Sequence, residues 1–297
     1  KDMQPKVSLS AIYDEESLEA VKKFQTRHGL SADGVIGKGT IQSLNFSKNQ
    51  RKKQILANLE RWKWFPRDMK NEYVIINIPD YKLTLVKDGD TLRTHKVIVG
   101  REKRKTPVLS SKLSSVVFNP TWTVPPTILK EDVIPAITRN RNYLAQTNIK
   151  VYDRNGNIVS ADNWTLSNAR GYRYVQSPGT FNSLGMVKIL FPNRFSVYLH
   201  DTNHRDYFTK SMRSLSSGCV RVDNPLSLTE YLLDDATLWN LEKITETLQS
   251  EKTKQVRIKK EAYVHILYWT AWSEKNRLVF RDDIYNLDAD LHDKLGK

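Results

Sequence analysis

The sequence predicts an α+β chain: a mainly β domain preceded by a small helical one and interrupted by an insertion. Three observations carry this. Apolar residues between 13 and 46 recur at helical spacing, from Tyr73 onward they recur every second residue, and between about 128 and 182 that two-residue period lapses in a stretch rich in Asn, Arg, Tyr and Gly.

The first helix is expected to start at Asp14 as N-cap, with Glu15, Glu16 and Glu19 early and Lys22, Lys23 and Arg27 late, which complements the helix dipole. Leu18, Val21 and Phe24 form its apolar stripe and Gly29 stops it, after which Asp33 to Gly37 turn the chain into a second short helix through Thr40, Ile41 and Leu44. Residues 50 to 62 read as a connecting helix, with Ile55, Leu56, Leu59 and Trp62 on one face and Pro66 beyond its end. Val74, Ile76 and Ile78, then Leu83 and Leu85, then Val97 and Val99 alternate, and Asp88-Gly89 is a hairpin signal. Val116 to Val124 and Val187 to Leu199, broken at Pro192-Asn193, continue the sheet. Within the insertion the section Asp132 to Ala145 suits a helix; the whole is either a lid or an ordinary surface excursion. Asn224-Pro225 reads as an N-cap and N1 pair opening a helix over Leu226 to Leu233, a further helix covers Asn240 to Leu248, and Val264 to Trp272 with Leu278 to Phe280 close as two strands. The domains expected are therefore 1–46 (helical), 47–71 (linker helix), 72–285 (the β domain, with its insert at about 128–182) and 286–297 (a C-terminal tail).

Lys and Arg number 47 against 33 Asp and Glu, a formal +14 spread along the chain, which suits an anionic partner without specifying nucleic acid, glycan or membrane. No apolar run approaches the roughly 18–20 residues that cross a bilayer, and residues 1 to 20 lack a signal-peptide core. The abrupt start at Lys1-Asp2-Met3 suggests a trimmed form of a longer exported protein. Glycine-rich phosphate loops are missing, and no pair of His or Cys residues has metal-ligand spacing, so neither cofactor nor metal is expected.

One residue stands out chemically. Cys219 is the only cysteine, so it has no disulfide partner; such a thiol is either a small buried apolar residue or a nucleophile. Its surroundings, Ser216-Ser217-Gly218-Cys219-Val220-Arg221, favour the second: Gly218 lets a backbone N–H approach a substrate oxygen, and the charge of Arg221 favours a thiolate. A thiol nucleophile needs a base of near-neutral pKa. On the alternating run Phe195 to His200, Tyr198 and His200 share the face opposite Val197 and Leu199, which makes His200 the first candidate and His204 its rival.

The runs SVYLHDT and LSSGCVRVDNP, with NPTWTVPPTI and EYVIINIPDYKLTLVKDG, resemble the catalytic domain of the L,D-transpeptidases, the YkuD domain, and most nearly the large YcbB-type enzymes of Gram-negative bacteria. YDEESLEAVKKFQTRHGLSADGVIGKGTIQSLN resembles the helical peptidoglycan-binding domain found beside cell-wall enzymes. The resemblance implies a YkuD-like β-sandwich with an inserted capping subdomain. It further implies that Cys219 is the nucleophile, His200 its base, the backbone carbonyl of Asp201 the group that orients the imidazole, and backbone N–H groups around Gly218 and Cys219 the oxyanion hole, with Arg221, Tyr198, Ser217 and Ser216 at the substrate. Many relatives carry histidine where this chain has Ser217. The implied reaction releases D-alanine from a tetrapeptide stem and joins the acyl group to a diaminopimelate amine as a 3-3 cross-link. Expected partners are stem peptides, the sacculus, other wall synthases and acylating carbapenems, in the periplasm, with inner-membrane anchoring by a segment absent here. Two alternatives stay open: a cysteine peptidase acting on wall peptides, and a non-catalytic wall-binding protein. Nucleic-acid binding rests on charge alone.

Overall fold

A computed structural model describes residues 12–296, so the start of the 1–46 unit lies outside the described residues. In chain order come α1 (Glu15–Arg27), α2 (Lys38–Leu44) and α3 (Lys48–Trp64), then β1 (Glu72–Asn77), β2 (Lys82–Lys87), β3 (Asp90–Gly100), β4 (Leu109–Lys112), β5 (Ser115–Phe118) and β6 (Trp122–Thr123). A helical run follows: α4 (Pro126–Ile128), a π-helical turn Leu129–Val133, α5 (Ile134–Arg139) and α6 (Tyr143–Gln146). Next are β7 (Ile149–Tyr152), β8 (Arg173–Gln176), β9 (Val187–Leu190), β10 (Leu199–His200), β11 (Ser214–Ser216), β12 (Val220–Val222), α7 (Pro225–Leu233) and α8 (Leu241–Gln249). The chain ends with β13 (Lys254–Arg257), β14 (Tyr263–Leu267), β15 (Ala271–Glu274), β16 (Arg277–Phe280) and α9 (Leu287–Leu295). None of these helices is long and apolar enough to cross a membrane.

The chain forms two compact units, one Pro66–Tyr268, the other the segments up to Phe65 and from Trp269. In the larger unit the strands run β13-β5-β9-β10-β12-β3-β2-β1-β14-β4, and β3 joins the two halves. Its first part pairs with β2, and Val97 and Ile98 pair with Val222 and Arg221 of β12. The expected alternation buries Val74, Ile76, Leu83, Leu85, Val97 and Val99. Each such side chain stabilises the fold by about 1.5–3 kcal/mol. Asp88 and Gly89, both at positive φ, make the β2–β3 turn that the sequence signals.

The stretch that lost strand period has a core of its own, built on Ile137, Val151, Trp164 and Tyr174 and floored by a three-stranded sheet, β6-β8-β7. The Trp164 indole N–H donates to the Tyr174 hydroxyl at 2.7 Å, which in turn donates to the Ala169 carbonyl at 2.9 Å. Buried aromatic polar ends are thereby satisfied.

In the smaller unit Asp14 caps α1, its carboxylate accepting the Ser17 N–H at 2.8 Å. Buried Gln25 holds the following turn, donating to Val35 O at 2.9 Å and accepting from Gly34 N at 2.8 Å. A second polar knot ties α3 to the chain's end. Asn58 Nδ2 donates to Thr270 Oγ1 and Asn58 Oδ1 accepts the Thr270 N–H; Thr270 Oγ1 donates to Asp288 Oδ2 at 2.6 Å, and Arg61 pairs with the other oxygen of that carboxylate.

Several expectations change. The run Val264 to Trp272 is not one strand: β14 belongs to the large sheet, whereas Thr270 is drawn into the polar knot and Ala271 opens the β15–β16 hairpin of the smaller unit. The stretch 286–297 contains α9. Asn224 occupies the N-cap position of α7 but at φ 48° with no side-chain cap bond. Phe195 to Tyr198 is loop instead of strand, because the Asn193 amide folds it, accepting from Phe195 N and Val197 N.

Candidate active site

Three adjacent strands assemble the site. Parallel pairing of β10 with β12 sets Leu199 beside Val220 and His200 beside Arg221, and antiparallel pairing of β10 with β9 sets His200 beside Lys188. Leu199, Val220 and Ile189 point into the core, so Lys188, His200 and Arg221 share the opposite face. Just before each strand, the Val220 N–H donates to Tyr198 O at 3.1 Å, which extends the pairing by one residue and brings Tyr198 level with Cys219 on that same face. The sequence-predicted quartet Cys219, Tyr198, His200 and Arg221 is thus one patch, and the Tyr198 and His200 rings meet edge to face, 5.6 Å apart.

His200 is 5 % exposed, and its Nδ1 lies 2.5 Å from the carbonyl oxygen of Asp201. A carbonyl only accepts, so Nδ1 carries the proton and Nε2 keeps a free lone pair, the tautomer a base requires. Burial, reinforced by the charges of Arg221 and Lys188, pulls the imidazole pKa down to about 3. The Asp201 carboxylate points elsewhere, accepting Met186 N–H at 2.9 Å and the Arg205 guanidinium at 3.0 Å. A Cβ at Gly185, φ +60°, would come within 2.4 Å of that carboxylate, so the glycine makes room for the residue that orients the histidine.

Cys219 is half-buried, with Sγ 4.0 Å from the Ser196 carbonyl oxygen. Burial raises the thiol pKa; hydrogen bonds from the Tyr198 backbone and side chain, and the charges of Arg221 and Lys188, pull it back only in part. The expected help from Arg221 is present, but desolvation outweighs it, and the resting pair is neutral thiol with neutral imidazole.

The loop before the cysteine is held tightly. Ser216 Oγ donates to Cys219 O at 2.6 Å and accepts the Gly218 N–H at 3.1 Å. The Gly218 N–H, expected at the oxyanion hole, is therefore engaged, whereas the Cys219 N–H has no acceptor among the described residues. Gly218 is needed for its φ of +117°. Ser217 is exposed and accepts from Arg104 Nη1 at 2.8 Å. Arg104, whose side chain is 8 % exposed, also pairs with Glu131 and Asp132 on the π-helical turn of the insertion, linking that subdomain to the cysteine loop. Thr106 Oγ1 donates to Gly218 O and accepts the Gly100 N–H, both at 2.8 Å.

Sequence reasoning passed over Lys188, Arg104, Thr106 and Gly185. Only Lys188 carried a local signal, as the single charge between core residues Val187 and Ile189. His204, the rival base, stacks on Tyr207. Among the described residues no cluster of three His, Cys, Asp or Glu could hold a metal.

Known families match this chain in two places. Residues 71–252 match the YkuD model, the L,D-transpeptidase catalytic domain, and residues 4–44 match the "Putative peptidoglycan binding domain". A Haemophilus influenzae (strain Rd) protein named "Putative L,D-transpeptidase" is 36% identical over 292 residues, which is 96% of this chain; the chain spans 58% of that relative's length. Among solved structures, L,D-transpeptidase 3 from Mycobacterium tuberculosis with a faropenem-derived adduct is 11% identical, covering 66% of this chain and 60% of that one at a TM-score of 0.34. An L,D-transpeptidase from Xylanimonas cellulosilytica is 15% identical, covering 84% and 78% at 0.30. Superpositions this loose carry no weight on their own.

Proposed function

Because the chain belongs to the L,D-transpeptidase (YkuD) family and carries a peptidoglycan-binding domain ahead of the catalytic one, we propose that it forms 3-3 cross-links in peptidoglycan through a Cys219 thioester. The observation that carries this reading is the Asp201 carbonyl on His200 Nδ1, which leaves the Nε2 lone pair free on the face that Cys219 shares, although burial makes this imidazole a weaker base at rest than the near-neutral one expected from sequence.

The thiol and imidazole are neutral at rest, so the proton moves as the bond forms. His200 Nε2 takes the thiol proton while Sγ attacks the carbonyl between diaminopimelate and the terminal D-alanine of a donor stem. Charge gathers on that carbonyl oxygen, where the unclaimed Cys219 N–H is the donor at hand. Collapse breaks the C–N bond, the imidazolium returns its proton to the departing amine, and D-alanine leaves. The thioester is then attacked by the side-chain amine of diaminopimelate on a second stem. His200 accepts that amine's proton and gives it to the leaving sulfur, restoring the thiol. Arg221, Tyr198, Ser216 and Ser217 border the reaction, Ser216 and Ser217 by shaping the cysteine loop. The inserted subdomain, tied to that loop through Arg104, serves as the cap that keeps water from the thioester.

In this reading the α1–α2 region holds the enzyme to the sacculus, and a net +14 suits an anionic wall. The site of action is the periplasm, with anchoring at the inner membrane; other wall synthases are expected neighbours.

Incubation with a carbapenem or a tetrapeptide, followed by intact-mass measurement, tests the chemistry. Wild type should gain one acyl group and Cys219→Ala none; an adduct on Cys219→Ala, or no adduct on wild type with either reagent, refutes the mechanism. Adding a second stem peptide separates transfer from hydrolysis: dimeric product is expected, and free tripeptide alone would assign a peptidase.

A further inference from the structure

On the face that carries Cys219, the cations Lys188 and Arg221 form no salt bridge among the described residues. Lys188, His200 and Arg221 form one cross-strand row, a cation on each side of the imidazole. Lys188 Nζ lies 5.6 Å from the centre of the Tyr198 ring, level with the thiol. Both cations are half-buried. Nε and Nη1 of Arg221 are closed off from solvent and have no acceptor. Neither Lys188 nor Arg221 forms an ion pair among the described residues, and Asp201, the acid next to the histidine, is taken up by Met186 N–H and Arg205.

Burial holds both cations below their ordinary pKa values, so each carries a desolvation penalty that no acid among the described residues offsets, Lys188 having only the face of the Tyr198 ring. Removing charge from water is costly unless something pairs with it, and a site that keeps two unpaired cations is complementary to an arriving anion. A donor stem brings carboxylates at two places near the scissile bond: the terminal carboxylate of the residue that leaves, and the side-chain carboxylate of the diaminopimelate that stays.

We infer that Lys188 and Arg221 form a carboxylate subsite that selects the donor stem by one of these groups. The inference rests on the proposed donor chemistry and adds to it a specificity role for Lys188.

The experiment compares Cys219 acylation of the full chain by three tetrapeptides: the parent, its C-terminal carboxamide and its diaminopimelate side-chain carboxamide. Wild type should lose about tenfold or more in kcat/KM on one of the amides, the scale of a charge-assisted contact, and the amide that suffers identifies the carboxylate. In Lys188→Met the ratio of parent to that amide should fall toward one, and Lys188→Arg should restore most of it. Lys188 also influences the thiol, but a general effect on the thiol lowers all three rates together and leaves the ratio unchanged. Equal wild-type rates on all three peptides overturn the subsite, as does a Lys188→Met variant that keeps the wild-type ratio. No acylation of wild type by the parent peptide overturns the donor chemistry, and the subsite with it. If Arg221→Met fails to fold, as judged by circular dichroism, the Lys188 series decides.

Discussion

Two buried polar clusters in this chain obey opposite rules. Around Thr270 in the smaller unit, Asn58, Gln54, Arg61 and Asp288 are each 9 % exposed or less; Asn58 and Thr270 exchange hydrogen bonds, and the Arg61 charge meets the Asp288 carboxylate. Around His200 in the larger unit, among the described residues Lys188 and Arg221 have no acid, Arg221 has two N–H-bearing nitrogens without acceptors, and the Cys219 N–H is unclaimed. The first arrangement is what folding alone selects, since buried polar groups stabilise only when paired. The second is left incomplete, and in the subsite proposed above a donor carboxylate completes it. Charge removal should therefore act in opposite directions in the two places.

The largest effect falls on the satisfied cluster. Arg61→Met leaves the Asp288 carboxylate buried without its cation, and breaking a buried pair in this way should cost about 3–5 kcal/mol, read as a lower urea midpoint. A cost under about 1 kcal/mol would mean that the knot around Thr270 is not the satisfied network described above.

His200 gives the next effect, and its sign follows from titration. Its folded pKa of about 3 lies below the ordinary 6.5, so from pH 6.5 down to about 3 the unfolded chain binds the proton that the fold refuses. Wild type should lose up to about 1.4 kcal/mol per pH unit across that window relative to His200→Gln, and nothing above pH 7. Parallel stability curves for the two proteins between pH 4 and 6 would show the imidazole to be solvated. Gly185→Ala comes next: a Cβ against the Asp201 carboxylate, at φ +60°, should cost about 1–3 kcal/mol and lower acylation more than it lowers stability, because Asp201 carries the carbonyl that orients His200. Full activity in a destabilised Gly185→Ala would detach Asp201 from catalysis.

These clusters also differ in how much of them was legible in the sequence. Tyr198 with His200, and Cys219 with Arg221, could each be placed on a common face because alternation is local to a strand; that the two pairs meet depends on the pairing of β10 with β12, which only the family resemblance implied. Lys188 was passed over because its place beside His200 depends on the pairing of β9 with β10, a long-range register that spacing within one strand does not encode. The help that Arg221 gives the Cys219 thiolate was read correctly, but the desolvation that outweighs it was not visible: neighbouring charge can be seen in sequence, whereas burial belongs to the packed site. In the fold, helix starts such as Asp14 and the Asp88-Gly89 turn were readable from side-chain chemistry. The split of Val264 to Trp272 was not, because it is decided by Thr270 reaching Asn58 and Asp288, residues far away in sequence.

The smallest expected effect is the sharpest for the comparison. Lys188→Met removes a cation that no acid among the described residues pairs with and whose contact with the Tyr198 ring is weak against its desolvation, so the fold should lose little and gain up to about 1 kcal/mol, a stability–activity trade-off opposite in sign to Arg61→Met. Its pH dependence is fixed by the lowered folded pKa of Lys188. The penalty that wild type carries is fully present below that folded value, where the ammonium must sit half-buried, and vanishes above the unfolded value of about 10.4, where both states are neutral. Wild type should therefore draw level with Lys188→Met as pH rises toward 10.4, measured as converging urea midpoints. If Lys188→Met is instead less stable than wild type at neutral pH and the gap closes on alkaline titration, the ammonium has a stabilising partner in the free protein, and the contrast between the two clusters fails at the residue on which it most depends.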